Sequence, residues 1–192
     1  MIEPAAVLSA VCQAISSDGR DEAAAILRRD YPFTPMAVIK RRYGPRESTR
    51  VFVRDGFIDR YSGQRLIFPP VLRVISEVLP AEFPFHPNWK TDVTHPAYNA
   101  LSATIDHVVP VTRGGRDDDS NWVTTSMARN FAKMNSTLEE IGWTLHPAGR
   151  FEVWDGLLRW FITFAEGHPD LVRAGSIRQW YVAAKEGTDL VR

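Results

Sequence analysis

Five side chains stand out by type and spacing: Asp106, His107, Asn121, Asn130 and Lys133, in the pattern D-H-x2-P-x3-G-G-x5-N-x8-N-x2-K. Their chemistry suits hydrolysis of a phosphodiester. An attacking water must lose a proton, and imidazole accepts one near neutral pH. Charge then builds on the phosphoryl oxygens and the leaving 3′ oxygen, where a divalent cation can offset it. Asp106 and Asn130 supply a carboxylate and an amide oxygen, hard ligands that Mg²⁺ accepts together with water and phosphate. Neighbours in a regular strand point to opposite faces. Bringing Asp106 and His107 to one site therefore asks for a bend or bulge near Pro110.

The elements that must hold these residues can be read around them. Ala103 to Val109 is β-branched and apolar and predicts a strand. Gly114-Gly115 and Asp117-Asp118-Asp119 predict a loop, and Trp122 to Thr125 a second strand. Ser126 sits where a helix N-cap belongs, with the helix over Met127 to Met134. Asn130 and Lys133 then lie one turn apart. The order is strand, loop, strand, helix.

This stretch resembles the HNH, or ββα-metal, nucleases, through Thr104 to Pro110, Gly114-Gly115, Asn121 and Asn130 to Lys133. The strong part covers about 35 residues; the region from Val51 to Phe68 is similar more weakly. The resemblance implies His107 as general base and Asp106 with Asn130 as ligands of Mg²⁺ or Mn²⁺. It makes Asn121 a brace for the loop that also orients His107, although a plain turn residue reads the same way. Lys133 would touch a phosphate or support the helix; a solvated lysine fits equally. DNA is the implied partner, cut to leave 5′-phosphate and 3′-hydroxyl ends. Many members of the family carry two Cys-x-x-Cys pairs for a structural zinc. Those places here read Asp59, Ser62, Ser126 and Arg129, and the single cysteine is Cys12. No structural zinc is expected, with ordinary packing through Tyr61, Phe57 and Met127 in its place. A non-catalytic nucleic-acid-binding module, or a nuclease for RNA or for modified or damaged DNA, stays open.

The rest of the chain predicts an α+β protein: this core, an upstream hairpin, and helices at both ends. Residues 1–49 read as helices (Pro4 to Ser16, Asp18 to Asp30) and a basic linker from Lys40 to Thr49. Residues 50–145 read as the nuclease core. Within it, Arg50 to Arg54 predicts a strand, and Phe57 to Arg60 with Gln64 to Phe68 the hairpin. Short helices follow over Pro70 to Leu79 and His95 to Leu101. Residues 146–192 read as two more helices, Val153 to Glu166 and Ser176 to Glu186, all three parts forming one unit.

Of the 192 residues, 44% are hydrophobic and 24% charged, so disorder is not expected. Net charge is zero, but its distribution is uneven. From Arg28 to Arg65 ten basic side chains face four acidic ones. Such a stripe binds phosphate or is simply solvated. Arg50, Arg54, Arg60 and Arg65 are candidate DNA contacts, with Arg113 and Arg116 in the motif loop as further ones. Asp117 to Asp119 could hold a second metal, but solvation is the simpler reading. His86, His95, His146 and His168 read as loop or cap residues. Trp154, Leu157, Leu158, Phe161 and Ile162 follow helical spacing and read as core. No apolar run approaches the ~18 residues of a membrane span, and the start lacks the basic and apolar pattern of a secretory signal. A cytoplasmic location is the expectation.

Overall fold

The computed structural model describes residues 3–33, 43–172 and 175–189. The chain forms two compact units, Met1–Val38 and Ile39–Arg192. In the first, α1 (Pro4–Ser16) starts with proline at its first turn, where the missing N–H costs nothing. Its stripe of Val7, Val11 and Ala14 is buried. Helix α2 (Arg20–Asp30) carries Asp21 and Glu22 in its first turn and Arg28 and Arg29 in its last, the arrangement its dipole favours. Val11, Ala14 and Ala23 form the core of this unit, with Ile26 and Leu27 against them. The basic stripe is thus divided between the two units, and its Lys40, Arg41 and Arg42 lie outside the described residues.

The second unit is α+β. Its first helix corrects the sequence reading. The predicted strand from Arg50 to Arg54, and the end of the predicted linker, are together α3 (Pro45–Arg54). Gly44 caps it, Pro45 opens it, and the Glu47 carboxylate accepts the Gly44 N–H at 2.8 Å, half of a capping box. Val51, Phe52 and Val53 are all buried. Arg46, Arg50 and Arg54 form the exposed face, four residues apart; a five-residue window with two valines is too short to show that period and so reads as strand.

The predicted hairpin shrinks to one antiparallel bridge, Ile58 to Arg65. Beyond this bridge and its turn, Arg60 N–H donates to the Thr124 carbonyl and Ile67 N–H to that of Leu101. Helices α4 (Pro69–Val78) and α5 (Ala97–Leu101) follow. Strands β1 (Ala103–His107) and β2 (Trp122–Ser126) pair antiparallel, and α6 (Met127–Lys133) packs on both. Ser126 caps α6 by accepting the Arg129 N–H at 3.2 Å.

The C-terminal part belongs to the same unit. Helices α7 (Leu158–Gly167), α8 (Pro169–Val172) and α9 (Gly175–Asp189) complete it. Helix α7 starts later than its apolar spacing predicts, and α8 was not anticipated. Before α7 the chain must pass Phe57, and a Cβ on Gly156 would lie 2.3 Å from that ring. Phe68 meets Phe161 and Trp180 edge-on at 5.5 and 5.4 Å, tying α7 and α9 into the core that includes Phe52, Phe57 and Ile105. The second unit runs from Ile39 through these C-terminal helices. No described helix is long and apolar enough to cross a membrane.

Candidate active site

Strand β1 runs in unbroken register, with Asp106 opposite Val123 and His107 opposite Trp122. No bulge interrupts that register; the chain bends just after it, at Val108 and Val109 before Pro110. A regular strand sends consecutive side chains to opposite faces, and the contacts of these two differ accordingly.

Asp106 is 8% exposed. Its Oδ2 accepts the Tyr61 hydroxyl at 2.7 Å and pairs with Lys133 Nζ at 2.9 Å. Burial first, then the negative Asp106, hold the Tyr61 phenol well above its ordinary pKa, so it is a neutral donor. Lys133 is fully buried and also donates to the His107 carbonyl at 2.7 Å. This corrects its expected role at a DNA phosphate: the inner face of α6 turns it toward β1. One turn earlier, Asn130 Nδ2 donates to the Ile105 carbonyl at 3.1 Å. These bonds use one oxygen of Asp106 and the nitrogen of Asn130. Among the described residues every buried side-chain N or O has a partner, so the Oδ1 atoms of Asp106 and Asn130 face solvent. The described residues contain no group of three or more His, Cys, Asp or Glu able to hold a metal; the donor set here is one carboxylate and one amide oxygen.

His107 is 6% exposed and makes a different set of contacts. Its Nε2 lies 2.8 Å from Asp117 Oδ1. The Trp122 indole N–H is 3.0 Å from that nitrogen and 3.1 Å from the same carboxylate oxygen. The Tyr43 ring stands 6.2 Å from the imidazole and 5.6 Å from the indole.

Asn121 clamps the loop between the strands. Its Oδ1 accepts the Val109 N–H at 2.9 Å, and its Nδ2 donates to the carbonyls of Val109 and Arg116, both at 2.8 Å. Gly115 is needed beside it, since a Cβ would fall 1.9 Å from the Val109 oxygen. The structure thus gathers Asp106, Asn130 and Lys133 where β1 meets α6, sets His107 apart with Asp117, and uses Asn121 to fix the connection.

The three acids have separate partners, and Asp118 and Asp119 stay open to solvent at 41% and 50% side-chain exposure. Asp117 holds His107, Asp118 pairs with Arg116 at 2.7 Å, and Asp119 pairs with Arg50 at 2.6 Å. Several arginines have structural duties. Arg54 bonds the fully buried Asp55 and the carbonyls of Asp119 and Trp122. Arg60 bonds Asp55 and the His146 carbonyl. Arg65 lies over Trp154 at 5.4 Å. Arg113, 45% exposed, pairs with Glu140, and Arg116 is 78% exposed.

The places expected of a zinc knuckle are joined by hydrogen bonds. Asp59 Oδ2 accepts the Ser126 N–H at 3.0 Å; Oδ1 accepts Thr125 Oγ1 at 3.1 Å and the Tyr61 N–H at 2.9 Å. A buried carboxylate, not packing alone, links the turn to β2. Sequence reasoning passed over Asp59, Asp117 and the Tyr61 hydroxyl as polar participants; Asp59 carried the one available signal, an acid at a ligand position.

Comparison of the chain with protein-family models, curated proteins and solved structures finds no match.

Proposed function

We propose that this chain is a metal-dependent endonuclease of the HNH type that hydrolyses phosphodiester bonds in DNA. One observation carries the reading. The strand–strand–helix unit leaves solvent-open oxygens on Asp106 and Asn130 beside β1, and the same strand ends on a histidine held by a carboxylate. Asp106 and Asn130 would hold Mg²⁺ or Mn²⁺, which prefer such oxygen donors. The bound cation would offset charge on the phosphate and the leaving oxygen.

The chain's own groups have definite tasks in this reading. His107 takes the proton of the attacking water. The new P–O bond forms as the bond to the 3′ oxygen breaks, giving a 5′-phosphate, and the 3′ oxygen takes a proton from solvent. Tyr61 and Lys133 fix the Asp106 carboxylate, and Asn121 fixes the turn after His107. Because Asp106 and His107 leave β1 on opposite faces, the scissile phosphate must lie across the end of that strand.

The test is cleavage of defined plasmid, single-stranded, RNA and modified DNA substrates with Mg²⁺ or Mn²⁺, followed by end mapping. Asp106→Ala and Asn130→Ala are each expected to remove Mn²⁺ binding and metal-dependent cleavage. Crystals soaked in Mn²⁺ should show anomalous density beside these two residues. Density at Asp117 to Asp119 would count against the site. A second reading, a module that binds nucleic acid without cutting it, draws on the Lys133 ammonium 2.9 Å from Asp106, which already neutralises the carboxylate. Absence of cleavage with every substrate and both ions would favour it.

For DNA contact, Arg50, Arg113 and Arg116 are the better candidates, because their ion pairs are exposed, hence weak and easily exchanged for phosphate. Their joint replacement by alanine should flatten the salt dependence of duplex binding by about 0.9 in log–log slope per lost contact. Unchanged affinity and slope would leave them as surface ion pairs. Neutralising Arg54 or Arg60 should instead lower stability, since each pairs with Asp55, whose side chain is wholly buried.

A further inference from the structure

We propose that Asp117 is a positioning residue: it holds His107 as the Nε2–H tautomer, so that Nδ1 is the nitrogen that accepts the proton. This rests on the nuclease reading for its catalytic part and on geometry alone for the tautomer.

Two groups compete for His107 Nε2. Asp117 Oδ1, at 2.8 Å, can only accept while ionised; the Trp122 indole N–H, at 3.0 Å, can only donate. If Trp122 donated to the ring, Nε2 would be the unprotonated nitrogen and Nδ1 would carry the hydrogen. The ring would then face the site with a donor where a base is needed. The same indole N–H lies 3.1 Å from Asp117 Oδ1. The carboxylate can therefore accept from both at once, drawing the indole hydrogen away from the ring and taking the imidazole hydrogen itself. A hydrogen bond to a charged acceptor is the stronger of the two alternatives.

The remaining nitrogen is free to work. Among the described residues the hydrogen bonds of the His107 ring go to Nε2, and no buried side-chain nitrogen lacks a partner. Nδ1 therefore opens to solvent. Asp117 is held for this task by its place in the loop that Asn121 clamps from both sides: Asn121 binds the carbonyl of Arg116, next to Asp117, and the backbone of Val109. The second nitrogen of a histidine commonly sets which nitrogen reacts; a carboxylate orienting a base through the far nitrogen is the same logic on other folds.

The competition makes a distinctive prediction. In Asp117→Ala the indole N–H has Nε2 as its remaining partner, so the ring should change to the Nδ1–H tautomer. Turnover at saturating DNA should fall about 10²-fold or more, with little change in the DNA concentration needed. Adding Trp122→Phe to Asp117→Ala removes the competing donor and should restore part of the lost turnover. A purely structural role for Asp117 predicts the opposite, a further loss.

The tautomer is read directly by long-range ¹H–¹⁵N correlation on the full-length, histidine-labelled protein at about pH 8, where an ordinary imidazole is neutral. His107→Gln identifies its signals. The expected result is an Nε2–H ring in the wild type and an Nδ1–H ring in Asp117→Ala. An Nδ1–H or doubly protonated ring in the wild type, or a tautomer indifferent to Asp117→Ala, would overturn the proposal. An Asp117-dependent tautomer in a protein that cleaves nothing would keep the positional assignment and overturn the nuclease reading instead.

Discussion

Replacing His107 with alanine is expected to lower DNA cleavage by about 10²- to 10⁴-fold, the usual worth of a general base, with the fold and DNA affinity largely kept. The separation follows from what His107 does in the structure. Its ring contacts Asp117, Trp122 and Tyr43 at the margin of the main core, to which Trp122 belongs. Asp117 keeps the Trp122 indole as a donor, so no buried charge is stranded. Its backbone, by contrast, matters for the site: the carbonyl takes the buried Lys133 ammonium, and alanine preserves it. The measurement is single-turnover cleavage beside a thermal melt and a binding titration. Near-wild-type cleavage by the purified variant would remove His107 from the mechanism. A collapse of the melt would show that the imidazole is a structural element.

Replacing Asp59 with alanine should cost about 3–5 kcal/mol, because each buried donor left unsatisfied costs roughly 1–3 kcal/mol. The carboxylate is 0% exposed and accepts from Ser126 N–H, Thr125 Oγ1 and Tyr61 N–H. Alanine leaves three buried donors with nothing to bind. The melting temperature should fall by roughly 10 °C, using the scaling for chains of this size. Asparagine should recover part of the loss, because its carbonyl still accepts while its amide meets a second donor. The expected companion result is that a chelator leaves the wild-type melt where it was. This clasp, rather than zinc, would then join the turn at residue 59 to β2 and α6. A chelator-lowered melting temperature, stoichiometric zinc in the purified protein, or an Asp59→Ala loss below about 1 kcal/mol would refute that.

The sequence by itself determined the local order around the site. β-branched Ala103 to His107 and Trp122 to Thr125 form strands because the glycine pair and acidic run between them cannot. Ser126 starts α6 because its hydroxyl satisfies an N–H that the helix leaves open. Asn130 and Lys133 share a face because they are three residues apart in a helix. These are short-range consequences of backbone geometry, and spacing states them directly. What lies beyond a few residues was not legible. Arg50 to Arg54 read as strand because five residues with alternating β-branched members are too short to show a helical period; over the whole of α3 the exposed Arg46, Arg50 and Arg54 recur every four residues opposite the buried Val51, Phe52 and Val53. Lys133 is sealed against β1 because tertiary packing chose which face of α6 turns inward. Asp59 meets Ser126 across 67 residues and Arg54 meets Trp122 across 68. Asp117 became a partner of His107 because the Asn121 clamp folds the loop back onto β1. A carboxylate has the same sequence signature whether solvent, metal or imidazole faces it. Only the long-range fold supplies the donor and the low-dielectric surroundings that settle which it is.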